Sequence, residues 1–238
     1  MFEGKMKALS FSYDDGVTQD RRLLAILNRY GLKATFNLNS GLFASAAAFY
    51  DREKNVTFPH VRLRASEIAE VYAGHEVAAH TRTHPMLKDL TDEAMIAETE
   101  EDRLALSDLV GYDVCGFAYP AGTCGMNAHV ADVLRRHTGV RFARTTTSTH
   151  RFDLPQDLMT LDPTVRHAER DAMLSLAQQF LDLQPETPQF FLIWGHAYEF
   201  DRDDDWAWFE DFCRMISRRD DIFYGTNREI LLKNLKTD

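Results

Sequence analysis

A single α/β domain built on a mostly parallel sheet is the fold class this sequence predicts. Short apolar runs of strand length alternate with amphipathic helical stretches along the chain, and no linker or internal repeat interrupts them. The chain's 238 residues are enough to bury a sizeable core without disulfide staples. Hydrophobic residues at 45% and charged residues at 27% are the balance of an ordinary globular protein, which excludes collagen-like, disordered and disulfide-scaffold classes.

The elements follow in order. Ala8 to Tyr13 alternates apolar and polar residues and runs into Asp14-Asp15-Gly16, a strand ending in a turn. Residues 20–30 carry Leu23, Leu24, Ile26 and Leu27 at helical spacing and stop at Gly31. Lys33 to Leu38 reads as a second strand. Residues 39–65 combine an alanine-rich piece with Pro59 and are expected to form a long loop with a short helix. Ser66 caps a helix through Tyr72, closed by Gly74, and Glu76 to Ala79 is then a buried strand. Residues 92–109 form an amphipathic helix with Met95, Ile96, Leu104 and Leu109 on its apolar side.

The alternation continues with a strand from Cys115 to Tyr119, a helix over 127–138 and a strand from Val140 to Arg144. Leu158 to Leu161 is expected as a short strand and 168–183 as a helix. A strongly apolar strand follows from Phe190 to Trp194, then a helix over 204–218, a strand from Ile222 to Tyr224 and a closing helix over 227–235.

The charge balance, 27 basic against 37 acidic residues or −10, comes without a dense basic cluster. It argues against nucleic acid or an anionic membrane as partner. No stretch approaches the roughly 20 apolar residues of a membrane span. Met1 to Lys7 has positive charge but no apolar stretch behind it, so a cytoplasmic location is expected. The odd number of cysteines (Cys115, Cys124, Cys213) reads as reduced thiols.

In parallel α/β folds the site lies beyond the C-terminal ends of the strands. There the chain places Asp14-Asp15, His80, Pro120 to Gly122, and His196. In His80-Thr81-Arg82-Thr83-His84 two imidazoles stand four residues apart, the spacing of one face of a helical turn. A carboxylate from another strand end completes a facial set that suits zinc, iron(II) or another first-row divalent ion. The His pair alone fits a surface turn equally well. Paired acids at the end of an apolar strand tip the balance toward a metal site.

Ser10-Phe11-Ser12-Tyr13-Asp14-Asp15-Gly16, the His80 to His84 motif, Phe117-Ala118-Tyr119-Pro120-Ala121-Gly122 and the late His196 together resemble the polysaccharide deacetylase (NodB-homology) family. The motifs occur in the family order and span residues 10–196, and the alternation around them extends the likeness over nearly the whole chain, 1–238, as one catalytic domain. The resemblance implies a distorted (β/α) barrel of about seven parallel strands and a divalent metal, usually zinc. It also implies hydrolysis of an acetyl group from an N- or O-acetylated sugar. Carried over by motif, Asp15, His80 and His84 are the metal ligands, Asp14 the base toward a metal-activated water, and His196 the acid. The backbone N–H of Ala121 is the oxyanion donor.

Three departures stand out. The family's third-motif arginine, which orients the base, is replaced by Ala118, and Arg144 at the next strand end is the candidate substitute. The aromatic residue of that motif is replaced by Ala121. The fourth motif, an aspartate and tryptophan supporting the catalytic histidine, has only Asp153 and Asp162 as candidates. Gly195 is expected to turn the backbone sharply beside His196, and Trp194, Tyr198, Trp206 and Trp208 to pack mainly in the core while offering stacking surfaces for a sugar. The other histidines read as ordinary surface or core residues.

The leading reading is a metal-dependent carbohydrate deacetylase acting on an acetylated oligosaccharide or small glycoconjugate, with the oligomeric state left open. A metal-dependent amidase acting on a small non-sugar amide, and a non-catalytic relative binding metal and glycan, are the alternatives.

Overall fold

The computed structural model describes residues 1–233. Eight parallel strands form one curled sheet: β1 (Lys7–Asp14), β2 (Ala34–Leu38), β5 (Glu76–Ala79), β6 (Gly116–Ala118), β7 (Phe142–Arg144), β8 (Val165–Arg166), β9 (Gln189–His196) and β10 (Ile222–Tyr224). Seven of them run in the order β7-β6-β5-β2-β1-β9-β8, and β10 pairs the first half of β1 where β2 has not yet joined it. β7 and β8 end the path unpaired with each other, so the barrel is open there, with Leu161 bridging to Arg144. The helices are α1 (Asp20–Arg29), α2 (Ile68–Val71), α3 (Asp92–Val110), α4 (Ala128–His137), α5 (Arg170–Asp182), α6 (Tyr198–Asp203) and α7 (Trp206–Ile216). α/β alternation in one domain with a distorted barrel is what the chain builds.

β1 shows why the site forms at one end. Leu9, Phe11 and Tyr13 face the helices and join the main core, Phe11 meeting Phe209 of α7 edge-on at 5.9 Å. The alternate residues, Ala8, Ser10, Ser12 and Asp14, are all buried too. β9 repeats the pattern: Phe191 and Ile193 belong to the helix-side core, while Phe190 and Leu192 join Ala8, Cys115, Phe142 and Leu161 in a second apolar cluster. That second cluster fills the N-terminal half of the barrel interior, and the inner face turns polar toward the C-terminal end, at Ser12, Asp14 and His196. Side-chain period two along two adjacent strands thus sets an apolar floor under a polar rim.

Most expected elements appear within a few residues, with differences that have physical causes. Residues 39–65 hold an antiparallel hairpin, β3 (Ala46–Asp51) and β4 (Val56–Val61), rather than a loop with a short helix. Pro59 sits in β4 opposite Ala48, a position open to proline because a two-stranded sheet has only edges. Leu158 to Thr160 is a 3-10 turn, and the strand in this region is the two-residue β8, too short to leave a sequence pattern. The helix expected over 204–218 begins earlier and breaks at Asp204, in the left-handed region, to give α6 and α7. The closing helix is a π-helical turn over Glu229–Lys233, and residues 234 and 235 of its expected span lie outside the described residues. All three cysteines are free thiols. No helix among the described residues is long and apolar enough to cross a membrane.

Lys7, buried at the base of β1, donates to the carbonyls of Phe180 (3.0 Å), Leu181 (3.2 Å) and Leu183 (3.1 Å) at the end of α5. One ammonium therefore satisfies the orphan C-terminal carbonyls of a helix and ties it to the central strand. Lys7→Met is expected to cost about 2 kcal/mol in urea unfolding, because the carbonyls stay buried without a donor.

Candidate active site

Three strand ends on the polar rim, those of β1, β5 and β6, lead into strained backbone. Among the non-glycine residues with positive φ are Asp15 (79°), Thr81 (63°), His84 (63°) and Ala121 (54°), and all four lie in the segments the sequence motifs marked. Left-handed geometry at such residues costs about 1–3 kcal/mol each and persists only where surrounding contacts enforce it. The enforcing contacts are visible. Asp102 of α3, fully buried, accepts from the backbone N–H of His80 (2.9 Å) and of Ser40 (2.6 Å), and Asn39 donates to the carbonyls of His80 (2.6 Å) and Thr81 (2.8 Å).

His80 and His84 do not share a helical turn. Residues 80–84 are irregular, and the loop folds back so that the two rings lie 4.8 Å apart at 76°. Asp15, His80 and His84 each present a ligand atom within 4.8 Å of the others. His80 Nδ1 lies 2.7 Å from the carbonyl oxygen of Ala118, so it carries the proton and leaves Nε2 as the free donor atom. Burial, the largest influence, holds the His80 imidazole down at about 4 and so neutral. Two imidazoles and one carboxylate are the donor set that fits a divalent ion such as zinc.

The Asp15 carboxylate is also gripped from the hairpin. His60 Nε2 stands 3.1 Å from Oδ2 and Arg62 Nη2 donates to Oδ1 at 2.9 Å. Burial pushes this carboxyl up, but His60, His196, His80 and Arg62 outweigh it, and the group stays ionised far below the ordinary carboxylate range.

Asp14 faces a different partner. Arg144, 1% exposed, donates through Nη2 to both Asp14 oxygens at 2.5 and 2.6 Å, and through Nε to Ser12 Oγ at 3.0 Å. Asn37 adds a donor to Oδ1 at 2.8 Å. Burial raises the Asp14 carboxyl, and Arg144 with His80 and His196 more than reverses this, leaving it below its ordinary value. Arg144 thus stands against the acid that the third-motif arginine was expected to serve, reached from the next strand end.

His196 Nε2 lies 3.8 Å from Asp14 Oδ2. Its other nitrogen, Nδ1, lies 3.6 Å from Oε2 of Glu199, an ion-pair distance rather than a hydrogen bond, while the His196 backbone N–H donates to the same oxygen at 3.2 Å. Glu199, 1% exposed, also meets His167 Nε2 at 2.9 Å, and His167 Nδ1 in turn meets the Tyr13 hydroxyl at 3.1 Å. Burial pushes the His196 imidazolium down, but Glu199, then Asp14 and Asp15, bring it above its ordinary value. Asp153, exposed and near Arg151, and Asp162, bonded to Thr145, take no part. The carboxylate beside His196 is Glu199, three residues on, and the sequence motif hid it because helical return, not motif spacing, brings it back.

The remaining expectations divide. Ala121 lines the pocket, and its N–H donates to no group among the described residues. Gly195 has ordinary extended backbone inside β9, and glycine is required because a Cβ there would stand 2.6 Å from the His167 ring. Trp194 and Tyr198 line the pocket, whereas Trp206 packs in the core on Phe200 at 4.7 Å and Trp208 lies elsewhere, on Phe212. His60 and His167, read as ordinary, are both part of the site network. The pocket encloses about 460 Å³ and brings Asp14, Asp15, His80, His84, Ala121 and His196 onto one wall system.

The family model described as polysaccharide deacetylase matches residues 3–142, 140 of the 238 residues. The chain belongs to the polysaccharide deacetylase family. Asp14, Asp15, His80, His84 and Ala121 fall inside that match, while Arg144 and His196 lie beyond it. Among solved structures, it is similar to a family 4 carbohydrate esterase from Streptomyces lividans in complex with acetate, at 18% identity and TM-score 0.53, over 90% of this chain and 88% of that one. A wild-type family 4 pseudoenzyme from Bacillus anthracis matches at 16% identity and TM-score 0.52, over 94% of this chain and 64% of that one. A Streptococcus pyogenes deacetylase in complex with acetate matches at 21% identity and TM-score 0.49, over 63% of this chain, which spans only 61% of that relative's length. These likenesses are of fold. No curated protein matches.

Arg144→Ala is expected to lower stability by about 3 kcal/mol or more in denaturant titration, since it leaves the Asp14 carboxylate buried without its cation. The same variant should raise the Asp14 pKa, measurable by carboxyl titration in NMR.

Proposed function

We propose that the chain is a metal-dependent deacetylase that hydrolyses the acetyl group of an N- or O-acetylated carbohydrate. The observation that carries this reading is the pairing of roles in one pocket: two imidazoles and one carboxylate converge as a ligand set while Asp14, next in sequence to one of them, is turned away onto Arg144. A module that only bound metal and glycan would need neither this separately held carboxylate nor an imidazole 3.8 Å from it. The pseudoenzyme relative shows that fold alone does not carry activity, so the reading rests on these side chains. The acetate named with two of the relatives agrees with an acetyl-sized product.

A divalent ion held by Asp15, His80 and His84 supplies Lewis acidity toward the acetyl carbonyl and the attacking water. The chain's own residues do the rest. Arg144 and Asn37 hold the Asp14 carboxylate ionised and aimed, so that it takes the proton of the water that adds to the acetyl carbon. The Ala121 N–H, without a hydrogen-bond partner among the described residues, donates to the oxygen where negative charge develops. His196, whose protonated form Glu199 favours, gives its proton to the departing amine nitrogen or alcohol oxygen as the carbon–heteroatom bond breaks, leaving acetate. Tyr198, stacked on His196 at 5.0 Å and 30°, and Phe49, 44% exposed on the hairpin, offer apolar faces to a sugar ring.

Acetate release from acetylated oligosaccharides, with zinc added and then chelated, tests the function. Release that chelation abolishes supports it; hydrolysis of non-sugar amides alone points to an amidase instead. Metal bound with no hydrolysis of any acetylated compound contradicts catalysis. Asp14→Asn should lower turnover by about 100-fold or more, the usual worth of a positioned base, while calorimetry still finds the metal. Glu199→Gln should move the alkaline limb of the rate–pH profile to lower pH. Its sign follows from Glu199 raising the His196 pKa: without the carboxylate the imidazolium loses its proton at lower pH, and the acid form is lost sooner.

A further inference from the structure

Charge is distributed unevenly between this pocket and the protein that carries it. The chain bears −10, yet among the described residues the pocket wall has only Asp14 and Asp15 as acids, matched by Arg62 in the wall and Arg144 behind it. A further cation, Arg166, stands in the same wall, and the acid it meets, Glu199, is buried behind that wall. It comes from the two-residue β8 and lies beside the catalytic histidine: its guanidinium is 5.3 Å from the Trp194 ring centre, and that ring is 5.9 Å from the His196 ring.

Arg166 is held in place but not used up. Its Nη2 donates to Glu199, its backbone N–H donates to Glu169 at 3.1 Å, and its planar group rests on Trp194. The same carboxylate also meets His167 at 2.9 Å and, more distantly, Arg202 at 3.6 Å, so Arg166 is one of several groups around it. Nη1 of Arg166 has no partner among the described residues, and the side chain is 36% exposed. A guanidinium already fixed by stacking and one ion pair loses little further freedom on binding. Its open N–H groups suit a planar carboxylate or a phosphate far better than a sugar hydroxyl.

We propose that Arg166 is a specificity-determining residue of this pocket, and that the acetylated substrate carries an anionic group, a carboxylate or a phosphate, which Arg166 binds through Nη1. The inference rests on the deacetylase reading and narrows its substrate class to acidic sugars. Arg62 has its Nη2 on Asp15, and so adds positive potential on the hairpin side without offering the same open face.

The test compares three substrates on the zinc-loaded enzyme at fixed ionic strength: N-acetylglucosamine, its 6-carboxylate counterpart, and N-acetylglucosamine 1-phosphate. At least one anionic substrate should exceed the neutral one by about tenfold in kcat/KM, the worth of one charge-assisted contact of about 1.4 kcal/mol, with the gain in KM. Which anion wins separates carboxylate from phosphate. Arg166→Gln should bring that preference to near unity and Arg166→Lys should keep part of it. Equal kcat/KM for all three substrates in the wild type, or an equal loss for all three in a folded Arg166→Gln, overturns the inference. Should no acetate come from any sugar, the deacetylase reading fails instead. Calorimetric binding of glucuronate and glucose 1-phosphate against glucose then decides the anion site by itself: anion binding that Arg166→Gln removes sustains it, and no preference over glucose refutes it.

Discussion

The pairing of Asp14 with Arg144, two fully buried ions at the open end of the barrel, is the constraint on which the rest of the site depends. Asp14 and Asp15 are adjacent in sequence and would, unpaired, repel each other and compete for the same cation. Ser12, Asn37 and Arg144 turn Asp14 to the barrel interior, while the positive φ of Asp15 turns its carboxylate outward to His60, Arg62 and the two loop histidines. One backbone reversal thus gives two neighbouring carboxylates different partners, each set holding its acid ionised. Breaking a buried ion pair by removing one partner costs about 3–5 kcal/mol, so the arrangement is strongly enforced once folded.

Beneath that pair, the division of the barrel interior does the positioning. Apolar residues at the N-terminal half of β1 and β9 exclude water and fix the strands. The same two strands end in Asp14 and His196, which are register partners in the ladder. Hydrogen-bond register therefore sets the spacing of Asp14 and His196 before any loop is considered. The ligand loop after β5 is held separately, by Asp102 reaching across from α3.

Strand–helix alternation, the strand ends and the motif residues were legible in the sequence because they follow from local periodicity and from residue types that have few other uses at such positions. Arg144 was legible as a candidate because it ends the strand after the third motif. Other features depend on tertiary geometry and left no local signal. The β3–β4 hairpin hides behind alanines and Pro59, yet it brings His60 and Arg62 to Asp15. Glu199 and His167 look like any surface pair until α6 brings Glu199 onto His196 and the end of β8 brings His167 onto Glu199. The histidine pair was read as one face of a helix, whereas a left-handed loop brings the rings together. Gly195 owes its place to the crowding of His167, a residue 28 positions away in sequence.

For the proposed function the decisive physical question is which of the two adjacent aspartates would hold a metal. Anomalous diffraction from crystals grown with zinc answers it directly. The account predicts one peak bounded by Asp15, His80 and His84, with Asp14 still on Arg144 and off the metal. A peak ligated by Asp14, with Arg144 displaced, would contradict it.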